Sequence, residues 1–259
     1  MSPAQGPLAG RGALVTGVSR RAGIGYAIAQ RLRELGADVL IQGHVAHDEG
    51  QPWGADPAGV ERLAGELDAA WVEADFADPA GPAACVEAAE VALGHVDVLV
   101  ANHAMSCDQD LEALDAASID ATLAVNVRGS LLLVKEYAAR HDDARPGGRV
   151  ILFTSGQHLE PMPRELPYAA SKAALHGITA SLAAHLVPRG ILVNTINPGP
   201  TDTGWATPEL VEHEMRRLPL GRWGAPEDAA RLVGWLATDE AGWICGQVLD
   251  SDGGFSLSR

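Results

Sequence analysis

Positive charge is scarce in this chain. Against 34 acidic residues stand 19 lysines and arginines, a formal net charge of −15 at pH 7. Such a surface repels a nucleic-acid backbone and anionic lipid, so neither is expected as a partner. Any phosphate must be held locally, by backbone N–H groups and a few placed arginines. Cysteine is scarcer still. Cys85, Cys107 and Cys245 are odd in number, far apart and in no metal spacing. They exclude a disulfide frame, leave metal binding unsupported and read as reduced cytoplasmic thiols. No uncharged apolar run reaches the ~18 residues of a membrane span. The opening MSPAQGPLAGRG lacks the apolar centre of a signal peptide. Repeats, low-complexity tracts and dividing linkers are missing too. A soluble, cytoplasmic single domain over residues 1–259 is expected, with 1–10 as an N-terminal tail.

What the chain does have is alternation. Short apolar, β-branched runs at 13–16, 38–42, 70–73, 96–101, 149–154, 191–196 and 247–249 are separated by helix-period segments. The helical segments fall at 24–35, 57–68, 80–93, 111–139, 167–187 and 226–237. This pattern predicts an α/β fold: a doubly wound parallel sheet of about seven strands, with helices on both faces. Right-handed crossovers place ligands beyond the carboxyl ends of the strands, so the loops after each strand carry the chemistry.

The first such loop is TGVSRRAGIG, residues 16–25. Its glycines miss the G-x-G-x-x-G spacing and could belong to an ordinary turn. Gly17, however, follows the strand directly, and Gly23, Ile24 and Gly25 lead into an amphipathic helix. That placement suits a dinucleotide pyrophosphate on a helix N-terminus, with Ser19 in the same loop. Strand two ends Leu40-Ile-Gln-Gly-His44 with no acid at its tip to select NAD. Arg20 and Arg21 are placed to reach a 2′-phosphate, and Asp48 and Glu49 follow closely enough to fold back. NADP(H) is therefore favoured, with NAD(H) possible. After strand three, Asp75 can accept from the adenine amino group, with Phe76 beside it. The bland role of Asp75 is a turn cap.

Tyr168 and Lys172, in PYAASKAALHG, stand one helical turn apart on one face. A nearby ammonium stabilises tyrosinate and would make Tyr168 a general acid/base for a carbonyl or alcohol. Such a pair alone would read as a solvated helix surface. It is accompanied by Ser155 at the end of strand five and by Asn126 inside an apolar helix pattern. A buried amide there needs partners, can bend the helix and can hold a relay water.

Taken in order, TGVSRRAGIG, Ala74-Asp75, ANHA at 101–104, Asn126, Ser155, Tyr168-x-x-x-Lys172, NPGPTDT at 197–203 and DSDGGF at 250–255 make the chain resemble the short-chain dehydrogenase/reductase family, which has a Rossmann fold. The segment from LPLGRWGAPEDAARLVGW onward is similar to 3-oxoacyl-acyl carrier protein reductases. The resemblance implies an NAD(P)-dependent carbonyl reductase or alcohol dehydrogenase. Tyr168 would exchange the substrate proton as nicotinamide exchanges hydride. Lys172 would lower the tyrosine pKa and bind the nicotinamide ribose, Ser155 would bond the substrate oxygen, and Asn126 would position the water. Asn102 and Ala104 would lie near the cofactor, and Pro198 and Gly199 would shape the turn beside the nicotinamide. Thr201 and Thr203 would bond its carboxamide or the pyrophosphate. His158, Met162 and Trp205 would line or cover the substrate pocket. A homotetramer, or a dimer, is implied.

The chain departs from the family in three places. The glycine loop is two residues longer than T-G-x-x-x-G-x-G, and Ala101 and Ala104 replace the first Asn and the Gly of N-N-A-G. The long loop also resembles that of divergent enoyl reductases, but those place the lysine seven residues after the tyrosine. A cofactor-binding regulator without turnover is the alternative of a different class, and loss of Ser155, Tyr168 or Lys172 would favour it. His103, His158 and His176 are dispersed and read as core or rim residues, and Trp53 as packing of a long loop. Arg216, Arg217 and Arg222 could meet a carrier-bound or CoA-bound substrate, or form a solvated basic face.

Overall fold

The computed structural model describes residues 6–257 except Pro146. In chain order the main elements are β1 (Gly12–Thr16), α1 (Ile24–Glu34), β2 (Asp38–Gly43), α2 (Ala46–Glu49), α3 (Gly59–Leu67), β3 (Ala70–Glu73), α4 (Gly81–Leu93) and β4 (Val98–Ala101). There follow α5 (Ala116–Leu123), a π-helical turn (Ala124–Gly129), α6 (Ser130–Arg140), β5 (Gly148–Phe153), α7 (Leu166–Leu186), β6 (Ile191–Asn197), α8 (Pro208–Met215), α9 (Pro226–Leu236) and β7 (Val248–Asp250).

The seven strands form one sheet in the order β3-β2-β1-β4-β5-β6-β7, parallel throughout. The central strands are buried along their whole length, which is why their sequences are continuous apolar runs and do not alternate. Val15 pairs with Ile41 on one side and with Val100 on the other. One face packs Val15, Ile41 and Val100 against Ile28 and Leu32 of α1 and Val233 and Leu236 of α9. The opposite face packs Leu14, Leu99 and Leu152 against α4, α6 and α7 through Cys85, Leu133 and Ala183. Each fully buried aliphatic side chain of this kind contributes about 1.5–3 kcal/mol.

Strand order reverses between β1 and β4, so the crevice beyond their carboxyl ends is the ligand position of a doubly wound sheet. Gln42 braces its rim. Buried at the end of β2, it accepts from Gly17 N–H at 3.0 Å and donates to the Ala74 carbonyl at 2.7 Å. The side chain thus ties the first three strand-end loops together.

Several expectations are refined. The predicted tail 1–10 lies outside the described residues at 1–5. From residue 6 it is packed structure, because Leu8 is fully buried and bonds Leu35. The helix predicted over 111–139 begins at Ala116, where the Asp115 side chain caps Ser118 N–H, and is interrupted by the π turn. The run Ala116–Arg140 contains an 18-residue window with a mean hydropathy of 1.3, apolar enough to match a membrane span by length and composition. It carries Asp120, Arg128, Lys135 and Glu136, and Leu133, Val134 and Tyr137 of α6 bury on the sheet. α2 and α8 are too short to show a period in the sequence.

Gln42→Leu keeps the volume but strands the Gly17 N–H and the Ala74 carbonyl. The folded state should lose about 2–4 kcal/mol, read as a lower midpoint in urea. A midpoint equal to wild type would show that the brace is redundant.

Candidate active site

The crevice holds a cavity of about 240 Å³ running from Tyr168 to the end of β2. Of the residues expected from sequence, it is lined by Gly17, Ser19, Arg20, Gly23, Ile24, His44, Asn102, Ala104, Tyr168 and Thr203. His47, Asp48 and His103 also line it. From sequence His103 is expected in the core or at the rim and Asp48 only close enough to fold back, whereas the structure places both on the cavity wall.

Local geometry explains the glycines. Gly17 has φ +76°, and a Cβ there would lie 2.7 Å from the His103 Cα. A Cβ on Gly25 would lie 2.4 Å from the Gly17 carbonyl. The loop therefore closes on itself only with hydrogen at both positions. Asn102 stitches it from the other side, its amide donating to the Thr16 and Gly17 carbonyls at 3.0 and 3.2 Å. α1 then starts with no side-chain cap and no acid in its first turn. Its positive end faces the crevice uncompensated, as an anion site requires.

The two loop arginines part company. Arg20 lines the cavity, donates to the Thr203 carbonyl at 3.0 Å and lies 3.3 Å from Asp48. Arg21, expected beside it, is instead held bidentately by Glu66 on α3, with Asp56 at 3.5 Å. A fork-to-fork pair with Glu66 fixes the guanidinium outside the crevice.

Tyr168 and Lys172 open α7 as expected. Lys172 is buried, its ammonium 5.4 Å from the Tyr168 ring centroid and donating to the Phe153 carbonyl at 3.0 Å. Ser155 is within hydrogen-bonding reach of the phenol. The lowered tyrosine pKa expected from the ammonium is not what this geometry gives. Burial, with Glu165 adding to it, pushes Tyr168 up to about 12 against the Ser155 hydrogen bond. Burial also pushes Lys172 down to about 8. Desolvation is the largest cause of both shifts. Tyr168 is thus a protonated phenol at neutral pH, the form that donates.

Asn126 is buried, as expected, and sits in the π turn, where its amide is fully engaged. It accepts from Met105 N–H at 2.8 Å and donates to the Met105 carbonyl at 3.0 Å and to Ser171 at 2.9 Å. It clamps the loop after β4 onto α7, leaving no side-chain donor for a relay water.

Other expected positions fall outside the cavity lining. Phe76 is buried against His103, with ring centroids 4.9 Å apart. Asp75 takes its bland role, accepting from Ala77 N–H at 2.8 Å, and lies 4.0 Å from His44. Gly199, at φ +65°, turns where a Cβ would lie 2.5 Å from the Asp252 Cα. Pro198 lines a second cavity of about 220 Å³. The Thr201 hydroxyl turns back to the Pro198 and Gly199 carbonyls. Trp205 donates to the Thr201 carbonyl at 3.1 Å and packs edge-on to Trp223. Met162 is half-buried in the loop before α7. His158 pairs with Asp250 at 3.3 Å and stacks on His176. Arg216, Arg217 and Arg222 are paired with Glu212, with Glu160 and Glu214, and with Asp228, so the basic face is internally neutralised. Among the described residues no cluster of His, Cys, Asp and Glu could hold a metal.

Comparison with known proteins gives matches along most of the chain. Residues 17–256 match a family model described as enoyl-(acyl carrier protein) reductase. The chain is 39% identical to the uncharacterized oxidoreductase YjdA of Bacillus subtilis, over 94% of this chain and 96% of that protein. It is 36% identical to an NADPH-dependent aldehyde reductase-like chloroplastic protein of Arabidopsis thaliana, over 96% and 95%. A short-chain dehydrogenase from Burkholderia cenocepacia, solved in complex with NADP, superposes with a TM-score of 0.84 at 34% identity, covering 96% of this chain and 99% of that one.

Asn126→Ala deletes three hydrogen bonds and strands both Met105 backbone groups. About 2–4 kcal/mol of stability should be lost, seen in the urea midpoint. A change under about 0.5 kcal/mol would argue that the π turn holds the loop without the amide.

Proposed function

The chain belongs to the short-chain dehydrogenase/reductase family and is an oxidoreductase; from that premise we propose that it interconverts a carbonyl and a secondary alcohol using NADP(H) in preference to NAD(H). The observation that carries this reading is that Tyr168, which lines the cavity shared with the glycine loop, has Ser155 within hydrogen-bonding reach and the Lys172 ammonium beside its ring.

A bound dinucleotide would supply the hydride. Gly17, Gly23, Ile24 and the start of α1 would hold its pyrophosphate, and Thr203 and Asn102 would border the path towards the nicotinamide. Ser155 donates to the substrate oxygen and fixes it against Tyr168. Tyr168 gives that oxygen its proton in reduction and recovers it in oxidation. Lys172, held by the Phe153 carbonyl, places positive charge beside the phenol as the proton leaves. A ketone, including a 3-oxoacyl thioester, free or carrier-bound, is the substrate class. The paired state of Arg216, Arg217 and Arg222 favours the small free ketone over the carrier-bound form.

Enoyl reduction is a second reading, favoured by the description of the matching family model. The four-residue spacing from Tyr168 to Lys172 opposes it. Three free thiols support a cytoplasmic protein. Trp243, 98% exposed on the approach to edge strand β7, supports a homo-oligomer.

A panel of aliphatic and aromatic ketones, acetoacetyl thioester and crotonyl thioester, each with NADPH and with NADH, tests the reading. Ketone turnover with little crotonyl turnover is expected, and the reverse would replace it with enoyl reduction. Tyr168→Phe should retain nucleotide affinity and lose at least ~10³-fold in kcat; near-normal turnover would remove Tyr168 from the proton transfer. Reductive kcat should fall as pH rises through about 8, where Lys172 loses its charge. A rate that climbs through that range would count against a charged Lys172.

A further inference from the structure

The end of the cavity remote from Tyr168 holds a buried carboxylate that the proposed reaction does not use. Asp48, 7% exposed on α2, lines the cavity together with Arg20, His44 and His47. Its carboxylate accepts from Trp53 Nε1 at 2.8 Å and from the Ser19 hydroxyl. Arg20 Nε lies 3.3 Å from the same group. The Arg20 guanidinium also donates to the Thr203 carbonyl and lies 5.4 Å from the centroid of the Trp53 ring. Two loops that are distant in sequence therefore meet here around one charge pair.

In a doubly wound fold the adenosine ribose is read at the end of the second strand. Here β2 ends at Gly43, and the carboxylate arrives from α2, five positions further on. Arg21 is committed to Glu66, so Arg20 is the loop arginine that reaches the cavity. Arg20 and Asp48 together carry no net charge. A 2′-phosphate bears about −1.5 to −2 charges at pH 7 and would meet one cation already shared with one anion. A free 2′-hydroxyl meets a carboxylate that can accept its hydrogen bond. The partly desolvated setting strengthens both effects relative to water.

We propose that Asp48 sets the cofactor choice of this protein: its carboxylate holds Arg20 and opposes the 2′-phosphate, which keeps the preference for NADPH over NADH small. The proposal rests on the dinucleotide reading of the site. It is separable from a merely structural role, because an asparagine at 48 still accepts from Trp53 Nε1 through its amide oxygen and can donate to the Ser19 hydroxyl through its NH2, but carries no charge.

The experiment measures Kd for NADPH and for NADH on the full chain and on Asp48→Asn at pH 7.5, by quenching of protein fluorescence. The affinity ratio NADPH to NADH should rise about tenfold in the variant, the effect of removing one charge beside the phosphate. A ratio that is unchanged, or that moves towards NADH, overturns the assignment to Asp48. A second measurement needs no variant: on the wild-type chain, 2′,5′-ADP should bind less than about tenfold tighter than 5′-AMP, and a larger margin overturns the proposal even if Asp48→Asn fails to fold. If the wild-type chain binds neither NADPH nor NADH, the dinucleotide reading fails and takes the proposal with it. If it binds both and only the ratio refuses to move, the reading stands and Asp48 loses its part.

Discussion

At Gly17 the chain leaves β1 with a positive φ and passes so close to the loop after β4 that only hydrogen fits between them. That close approach is possible because β1 and β4 are neighbours in the sheet although three crossovers separate them in sequence. Once it is made, Gln42 and Asn102 have backbone groups of the glycine loop within reach, and both use them. The start of α1 is then aimed into the crevice, and the cavity extends from there to Tyr168. Without that approach the residues along the cavity would be a collection of loops.

Much of this was legible in the sequence, for a physical reason. A parallel strand buried on both faces has to be a continuous apolar run, so β1, β4, β5 and β6 announced themselves. A doubly wound order then placed chemistry in the loops that follow. Ser155, Tyr168 and Lys172 were recoverable because their spacing is local or tied to a strand end. The illegible parts depend on partners far away in sequence. Arg20 and Arg21 are adjacent and chemically alike, and their separation is decided by Glu66 on α3 and Asp48 on α2. α2 is four residues long and shows no period, so the direction of His47 and Asp48 is not readable from spacing. The Asn126 amide was rightly expected to need partners, but Met105 and Ser171 could not be named from spacing.

The tyrosine–lysine pair shows how burial edits a sequence argument. From spacing alone the ammonium lowers the phenol pKa. In the folded chain each group is desolvated, and desolvation disfavours the charge on both. The phenol rises and the ammonium falls, so both lie nearer their neutral forms. A neutral phenol beside a weakly held ammonium suits proton donation to a carbonyl. The pair also becomes dependent on whatever negative charge develops next to it, because that charge is what Lys172 is placed to meet.

The same tension between local and global charge governs the other end of the cavity. A protein with a net charge of −15 repels an anionic dinucleotide at long range. Screening confines that repulsion to about 10 Å at ordinary ionic strength, so affinity has to be generated inside the crevice. On the proposed reading, the uncapped, acid-free start of α1 would supply it for the pyrophosphate through backbone groups that carry no side-chain charge. At the other end Arg20 is the loop arginine that lines the cavity, and Asp48 answers it at 3.3 Å. The pyrophosphate, common to both nicotinamide cofactors, would then be held by fixed dipoles. The 2′-phosphate, which distinguishes them, would be judged by a single balanced ion pair.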